Sequence, residues 1–310
     1  MTRLLGLDLG GTNVKAAVLE MADVDESTPE IVAEETHPTF AERGPDAVVD
    51  RLVDVGRAVI GRHGPVAAGG VGIPGVFDRD TGTVLLFPNL PGRWEGHPLL
   101  APVAEGLGIP MALINDARAF TLAEGTIGAG RGCRTLVCLT LGTGVGGGLM
   151  IDGNLHVGSS GRAGEIGHQI LLPDGPRCGC GNVGCAEALT RSGVLAELAG
   201  RSTAEDVYSG AAAGDARCRE AIATVAGYLG IALANMVTVL GPDRIVIGGG
   251  IIAAGDLVLE PIRRAVMSRV TLVPPEHIDV VPAALGPIAG AVGAALAGRA
   301  LVSQPAVRAR

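Results

Sequence analysis

Residues 164–187, GEIGHQILLPDGPRCGCGNVGCAE, hold three of the chain's six cysteines together with one histidine and two glutamates. His168, Cys178, Cys180 and Cys185 make a Cys3His set, the donor mix of a tetrahedral Zn²⁺ site. The Cys-x-Cys step is tighter than the usual zinc-finger step. Four protein ligands leave the metal no open position, so the role such a site implies is structural. The competing reading is that these are packing cysteines in a glycine loop. A closed metal site would pin Glu165 and Glu187, which otherwise ride on loops. Carboxylates and an imidazole, in a chain with only 2% aromatic residues, suit a polyhydroxylated ligand.

Three glycine-rich stretches have a second kind of chemistry. DLGGTNVK, residues 8–15, ends an apolar run with Asp8, then offers Gly10, Gly11 and Thr12. Glycines let backbone N–H groups approach a phosphate closely, and Asp8 can hold Mg²⁺ directly or through water. The same residues also read as a plain hairpin turn capped by Asp8. LGTGVGGG, residues 141–148, contains a G-x-G-x-x-G match, but GLMIDG continues as a strand where a dinucleotide fingerprint needs a helix. A Walker A loop is excluded, because the only lysine, Lys15, follows Val14. Gly142, Thr143 and Gly144 therefore form a second glycine hairpin, and two such turns facing each other would clamp a nucleotide. IVIGGGI, residues 245–251, is a third turn at a strand end, which reads either as a plain strand-to-helix connection or, in company with the other two, as a seat for a nucleoside.

IND, residues 114–116, closes another apolar run with Asp116. A carboxylate there reads either as a helix N-cap or as a general base for an alcohol attacking a γ-phosphate.

These residues need a scaffold, and the apolar periodicity supplies one. RLLGLDLGG and VKAAVLEM read as a hairpin, with EIVAEETHP as a third strand. Residues 45–64 carry apolar positions at helical spacing, with Pro45 at the start and Gly64 past the end. AAGGVGIPG reads as a buried strand, LLAPVAEGLG as a helix and PMALIND as a strand. After Ala117 the pattern restarts with RTLVCLTLGTGVGGGLMIDG. Helices follow near 186–199 and 215–240, then the strand DRIVIGGG, a helix at about 256–269, the strand HIDVVPAAL and a final helix from about Pro287. Two α/β halves result, each opening with a glycine-turned hairpin, and the cleft between them is the expected site.

Composition narrows the partners. The chain has 310 residues, 47% of them apolar, enough for a buried core and two domains. A net charge of −8 argues against nucleic acid and anionic membranes. The N-terminus shows no export signal and no stretch reads as a membrane span. The expectation is a soluble cytoplasmic protein, in which clustered thiols stay reduced and available to metal. Cys133, Cys138 and Cys218 are scattered and read as small core residues.

Together GLDLGGTNVKAAV, NDARA, LTLGTGVGGG, AGEIGHQILLPDGPRCGCGNVGCAEAL, IVIGGGI and GPIAGAVGAA resemble the ROK group of bacterial sugar kinases and sugar-responsive repressors, within the actin-like, ribonuclease-H-like phosphotransferases. The likeness spans nearly the whole chain. It implies an α/β fold of two actin-like domains with an interdomain active-site cleft. Residues 1–116 with about 290–310 would form the smaller, and 117–289 the larger, which carries the zinc site and nucleotide turns. It implies that Asp116 is the catalytic base and that Asn89 and Asn115 contact the sugar. Glu165, His168 and Glu187 would hold sugar hydroxyls, and His168, Cys178, Cys180 and Cys185 would bind zinc. Asp8, Gly10, Gly11, Thr12, Gly142, Thr143 and Gly144 match the phosphate turns, and Gly249 the adenosine turn. One departure is Arg118, where the family usually has Asn. The loop NLPGRW, residues 89–94, resembles members that close it over glucose. The expected activity is ATP- and Mg²⁺-dependent phosphorylation of a hexose 6-hydroxyl, most like glucose. N-acetylglucosamine or N-acetylmannosamine is the alternative substrate, and a homo-oligomer, dimer or tetramer, the expected assembly. A sugar-sensing repressor is disfavoured, since the first phosphate turn begins too early to leave room for a helix-turn-helix.

Overall fold

A computed structural model describes residues 1–22, 28–88 and 90–302. By its internal contacts the chain divides into two compact units, Met1–Ile127 with the segment from Pro287, and Gly128–Gly286.

In chain order the first unit contains strands β1 (Thr2–Leu9), β2 (Asn13–Met21) and β3 (Glu30–Pro38), helix α1 (Pro45–His63) and strand β4 (Ala68–Ile73). There follow a short hairpin of β5 (Val76–Phe77) and β6 (Val84–Leu86), helix α2 (Leu100–Leu107), strand β7 (Met111–Asn115) and helix α3 (Asp116–Thr126). The sheet order is β3-β2-β1-β4-β7, antiparallel through the first three strands and parallel from β1 to β7. Alternation along β1 decides what each face meets. Leu5, Leu7 and Leu9 join Val48, Leu52 and Val55 of α1 in one apolar core. Gly6 and Asp8 face the other way, toward the C-terminal helix Ala289–Val302. A methyl group at Gly6 would stand 1.8 Å from Ala291 O, and one at Gly70 of β4 2.0 Å from Ala294 O. The absent side chains let that helix lie directly on the sheet. Helix α3 packs against the same helix, which is why it belongs to the first unit.

The second unit has β8 (Leu136–Leu141), β9 (Val145–Ile151), β10 (Asn154–His156), helices α4 (Ala186–Thr190), α5 (Ser192–Ala199), α6 (Ala204–Ala212) and α7 (Ala216–Leu240), strand β11 (Arg244–Gly248), helix α8 (Asp256–Met267) and β12 (Val280–Pro282). The C-terminal helix completes the count as α9. Sheet order β10-β9-β8-β11-β12 repeats the first unit's scheme: a hairpin extended by two parallel strands. Val137, Leu139 and Leu141 of β8 pack with Val225, Leu229 and Leu233 of α7.

Four sequence expectations are corrected. The helix read over 186–199 breaks at Arg191, whose extended backbone ends α4 and starts α5. Helix α6 and the short strands β5, β6 and β10 are additional. The strand read in HIDVVPAAL shortens to Val280–Pro282. Helix α7, at 25 residues, is long and apolar enough by length and composition to cross a membrane. Here its apolar face is core: Leu229 and Leu233 are fully buried against the sheet. Its N-terminus is capped by Asp215, which accepts from Arg217 and Cys218 N–H groups.

Candidate active site

In the first unit the β1–β2 turn is closed by Gly10 N–H donating to Asn13 O at 2.9 Å. Thr39, fully buried at the end of β3, braces it twice: its hydroxyl donates to Gly10 O at 2.7 Å and its N–H to Thr12 O at 2.9 Å. Gly11 and Thr12 stand exposed at the tip. Sequence reading overlooked Thr39, because its signal is a backbone contact far away in the chain.

Asp8 lies just before this turn on the α9 face. Its Oδ2 sits so close to Gly290 that a Cβ there would meet it at 2.5 Å. Burial, then the charge of Asp116, push its carboxyl up to about 6, while Lys15 across the hairpin pulls the other way. Asp8 near the end of β1 and Asp116 directly after β7 thus bring two like charges to bear on each other. Two carboxylates so arranged have the donor chemistry of a Mg²⁺ site, since a cation would relieve their repulsion.

Asp116 is the first residue of α3, but Asn115 is its cap. Asn115 Oδ1 accepts from Ala117 N–H at 3.1 Å and Arg118 N–H at 3.3 Å, and its Nδ2 donates to Gly75 O at 3.2 Å. The side chain of Asp116 is exposed. Its Oδ1 accepts from Ala117 N–H at 2.8 Å and Asn115 Nδ2 at 3.0 Å. Of the two readings open to Asp116, the capping one thus passes to its neighbour. Arg118 is buried within α3. Asn89 lies outside the described residues. The loop beyond it is anchored: Leu90 and Trp94 are buried, the Trp94 ring lies 4.7 Å from Phe87, and its Nε1 donates to Pro91 O.

In the second unit a short 3-10 turn, Ile166–His168, follows Glu165 and presents His168. His168 Nδ1 is 3.7 Å from Cys178 Sγ, Cys180 Sγ is 3.8 Å from Cys185 Sγ, and the four ligand atoms all lie within 4.8 Å of one another. A tetrahedron with Zn–S near 2.3 Å has S···S edges of about 3.8 Å, so the cluster fits the ion. Because Nδ1 faces the thiols, Nε2 is the ring nitrogen left for another partner. Cys178 and Cys185 are buried and Cys180 is exposed. Glu165 is exposed as well.

Glu187, on α4 just past Cys185, accepts the Val145 N–H on Oε2 at 3.0 Å, and its Oε1 is 3.4 Å from Cys178 Sγ. Its Oε2 also packs on Gly144, where a Cβ would stand 2.7 Å away. The Gly142–Gly144 turn is closed by Gly142 N–H to Gly144 O, and Gly142 O in turn accepts Ser192 N–H at 2.9 Å. The helix break at Arg191 is what brings Ser192 there.

A cavity of about 410 Å³ opens beside this turn, lined by Gly142, Thr143, Ser192 and Gly250 on one side. Ser202, Thr203, Glu205 and Tyr208 line another wall. Gly249 adjoins it with φ +89°, and a Cβ there would stand 2.2 Å from Leu141 O, so only glycine fits. The α6 wall escaped sequence reading although S/T-x-x-D at Thr203–Asp206 is a capping box, and both of its hydrogen bonds form.

A family model described as ROK family matches residues 4–300. The chain belongs to the ROK family. Among its ROK relatives is a glucokinase of Halalkalibacterium halodurans, 35% identical over 84% of this chain and 84% of that one. Two solved ROK structures are also similar. A ROK hexokinase from Thermus thermophilus has a TM-score of 0.81 at 33% identity, over 97% of this chain and 99% of that one. A ROK family glucokinase from Streptomyces griseus, in complex with glucose and AMPPNP, has a TM-score of 0.80 at 31% identity, over 96% and 99%. Proteins named xylose repressors match too, over 54% to 75% of their own length. The α/β fold class expected from the resemblance to actin-like ROK proteins holds.

Proposed function

We propose that this ROK protein is an ATP-dependent hexose kinase that phosphorylates the 6-hydroxyl of glucose. The single observation that carries the reading is the state of Asp116: oriented by two donors to Oδ1, relieved of capping by Asn115, and exposed to a ligand. Similarity to glucokinases at 33–35% identity over most of the chain supports the substrate, and similarity to the ROK glucokinase solved with glucose and AMPPNP supports the donor.

In this mechanism Asp116 accepts the proton of the sugar hydroxyl as its oxygen attacks the γ-phosphorus in line. Glu165, His168 Nε2 and Glu187 orient the ring through its hydroxyls, and Asn89 belongs to the same set. Asn115, whose amide is committed to the α3 cap, Gly75 O and Asp116 Oδ1, serves by orienting Asp116. With the Gly10 and Gly142 N–H groups closing their turns, those of Gly11, Thr12, Thr143 and Gly144 donate to phosphate oxygens, with the Thr12 and Thr143 hydroxyls as added donors. Asp8 would hold Mg²⁺, which supplies charge neutralisation of the phosphates when bound. His168, Cys178, Cys180 and Cys185 would hold a structural Zn²⁺, keeping His168 and Glu187 in place. A dimer or tetramer in solution completes the reading, and light scattering checks it.

Glu165 and Glu187 are acceptors, matched to free hydroxyls but offering no donor to an acetyl carbonyl. Glucose should therefore exceed N-acetylglucosamine by at least about tenfold in kcat/KM, with mannose a poorer but measurable substrate. A coupled assay of ATP-dependent phosphorylation across these sugars tests the proposal. Equal turnover of N-acetylglucosamine would overturn the glucose assignment, and sugar binding with no phosphoryl transfer would overturn the kinase reading.

A further inference from the structure

The cavity beside the Gly142–Gly144 turn has an end that the phosphate chemistry does not use. Helix α6 supplies it with a carboxylate, Glu205, and a phenol, Tyr208. The two acids in the first turn of α6 differ in their commitments. Asp206 is consumed by the capping box, accepting Thr203 N–H at 3.1 Å. Glu205 makes no hydrogen bond or ion pair among the described residues, yet its charge is felt by Tyr208. Tyr208 is half-buried and packs on the core of the unit, and among the described residues it is the one aromatic lining this cavity. Burial, then the Glu205 charge, push its phenol up to about 12, so it stays neutral at physiological pH.

The remaining groups around the cavity are hydroxyls, backbone and aliphatic side chains. Hydroxyls can donate or accept and so discriminate poorly between heterocycles, whereas an ionised carboxylate only accepts. The 6-position is where the purines differ most plainly. Adenine presents an amino donor there, and hypoxanthine and guanine present a carbonyl acceptor. A carboxylate meeting the amino group gains a charge-assisted hydrogen bond, and one meeting the carbonyl faces lone pairs.

Resting on the kinase reading of this cavity, we propose that Glu205 selects adenine nucleotides over 6-oxopurine nucleotides by accepting the 6-amino group, with the Tyr208 ring as the platform for the base.

Titration calorimetry with ADP and IDP on the full-length protein tests this without relying on turnover. The unsubstituted protein should bind ADP at least about tenfold more tightly than IDP, and Glu205→Gln, whose amide can donate to a 6-oxo group, should bring the two within about threefold. Tyr208→Ala should weaken both nucleotides together, and Tyr208→Phe should weaken neither. ATP and ITP as phosphoryl donors should give the same ratio in KM, with the KM for glucose unmoved. ADP binding whose preference over IDP survives Glu205→Gln overturns the inference and leaves the kinase reading standing. Selective ADP binding without phosphoryl transfer would overturn the kinase reading and leave Glu205 in its role. Failure of both nucleotides to bind would overturn both.

Discussion

Glu187 Oε2 accepts the backbone N–H of Val145 at 3.0 Å, joining the helix that leaves the cysteine loop to the strand that leaves the second glycine turn. The carboxylate also lies on the open face of Gly144. One side chain thus ties the candidate metal site to the phosphate turn. Gly144→Ala should push this carboxylate aside and raise KM for both ATP and the sugar, by about tenfold or more. Glu187→Ala should do the same. Steady-state kinetics with each substrate varied in turn provide the check, and a Gly144→Ala protein with unchanged constants would show the contact to be incidental.

Asp116→Asn should lower kcat by roughly 10²–10⁴ while sugar affinity stays within about tenfold, the pattern for losing general-base assistance. Near-normal kcat would send the search for the base elsewhere. Thr12→Ala, at the exposed tip of the first turn, should raise KM for ATP more than KM for the sugar.

The Cys3His cluster predicts about one zinc per chain in purified protein by metal analysis. Chelation should lower the melting temperature, and Cys180→Ser should do so without chelator. Active protein free of zinc would remove the metal from the account.

Asp8 yields a pH prediction. Its carboxyl titrates near 6 in the folded chain against 3.8 ordinarily, so the folded state binds this proton more tightly than the unfolded one. The stability it contributes is complete below about pH 4 and is lost as pH rises through about 6. Asp8→Asn should flatten that part of the profile, measured by denaturant unfolding in nucleotide-free protein without divalent cations. Parallel profiles for the two proteins would refute the assignment. Glu35 behaves oppositely: hydrogen bonds from Arg62, then from His63 and His37, hold its carboxyl down to about 2, so its contribution is lost only as pH falls toward that value.

Strand and helix positions were legible wherever burial imposes a period. Leu5, Leu7 and Leu9 alternate because one face of β1 meets α1, and the apolar rows of α1 and α7 recur because each covers a sheet. Where the cause lay outside the segment, reading failed. Nothing local in 186–199 announces the break at Arg191, whose consequence is that Ser192 reaches Gly142. Helix α6 announced itself only through Thr203 and Asp206, a weak signal beside the polar run around it.

By itself the chain specified its chemistry: which residues carry carboxylates, thiols and imidazole, and which turns leave the backbone bare, since these follow from residue type and spacing. What only the tertiary structure decided was assignment. Asn115 rather than Asp116 caps α3, Thr39 braces the first turn, and Glu187 leans on Gly144 instead of standing alone. Each depends on a hydrogen bond whose geometry is set within about half an ångström by packing, and composition and period do not record distances at that scale.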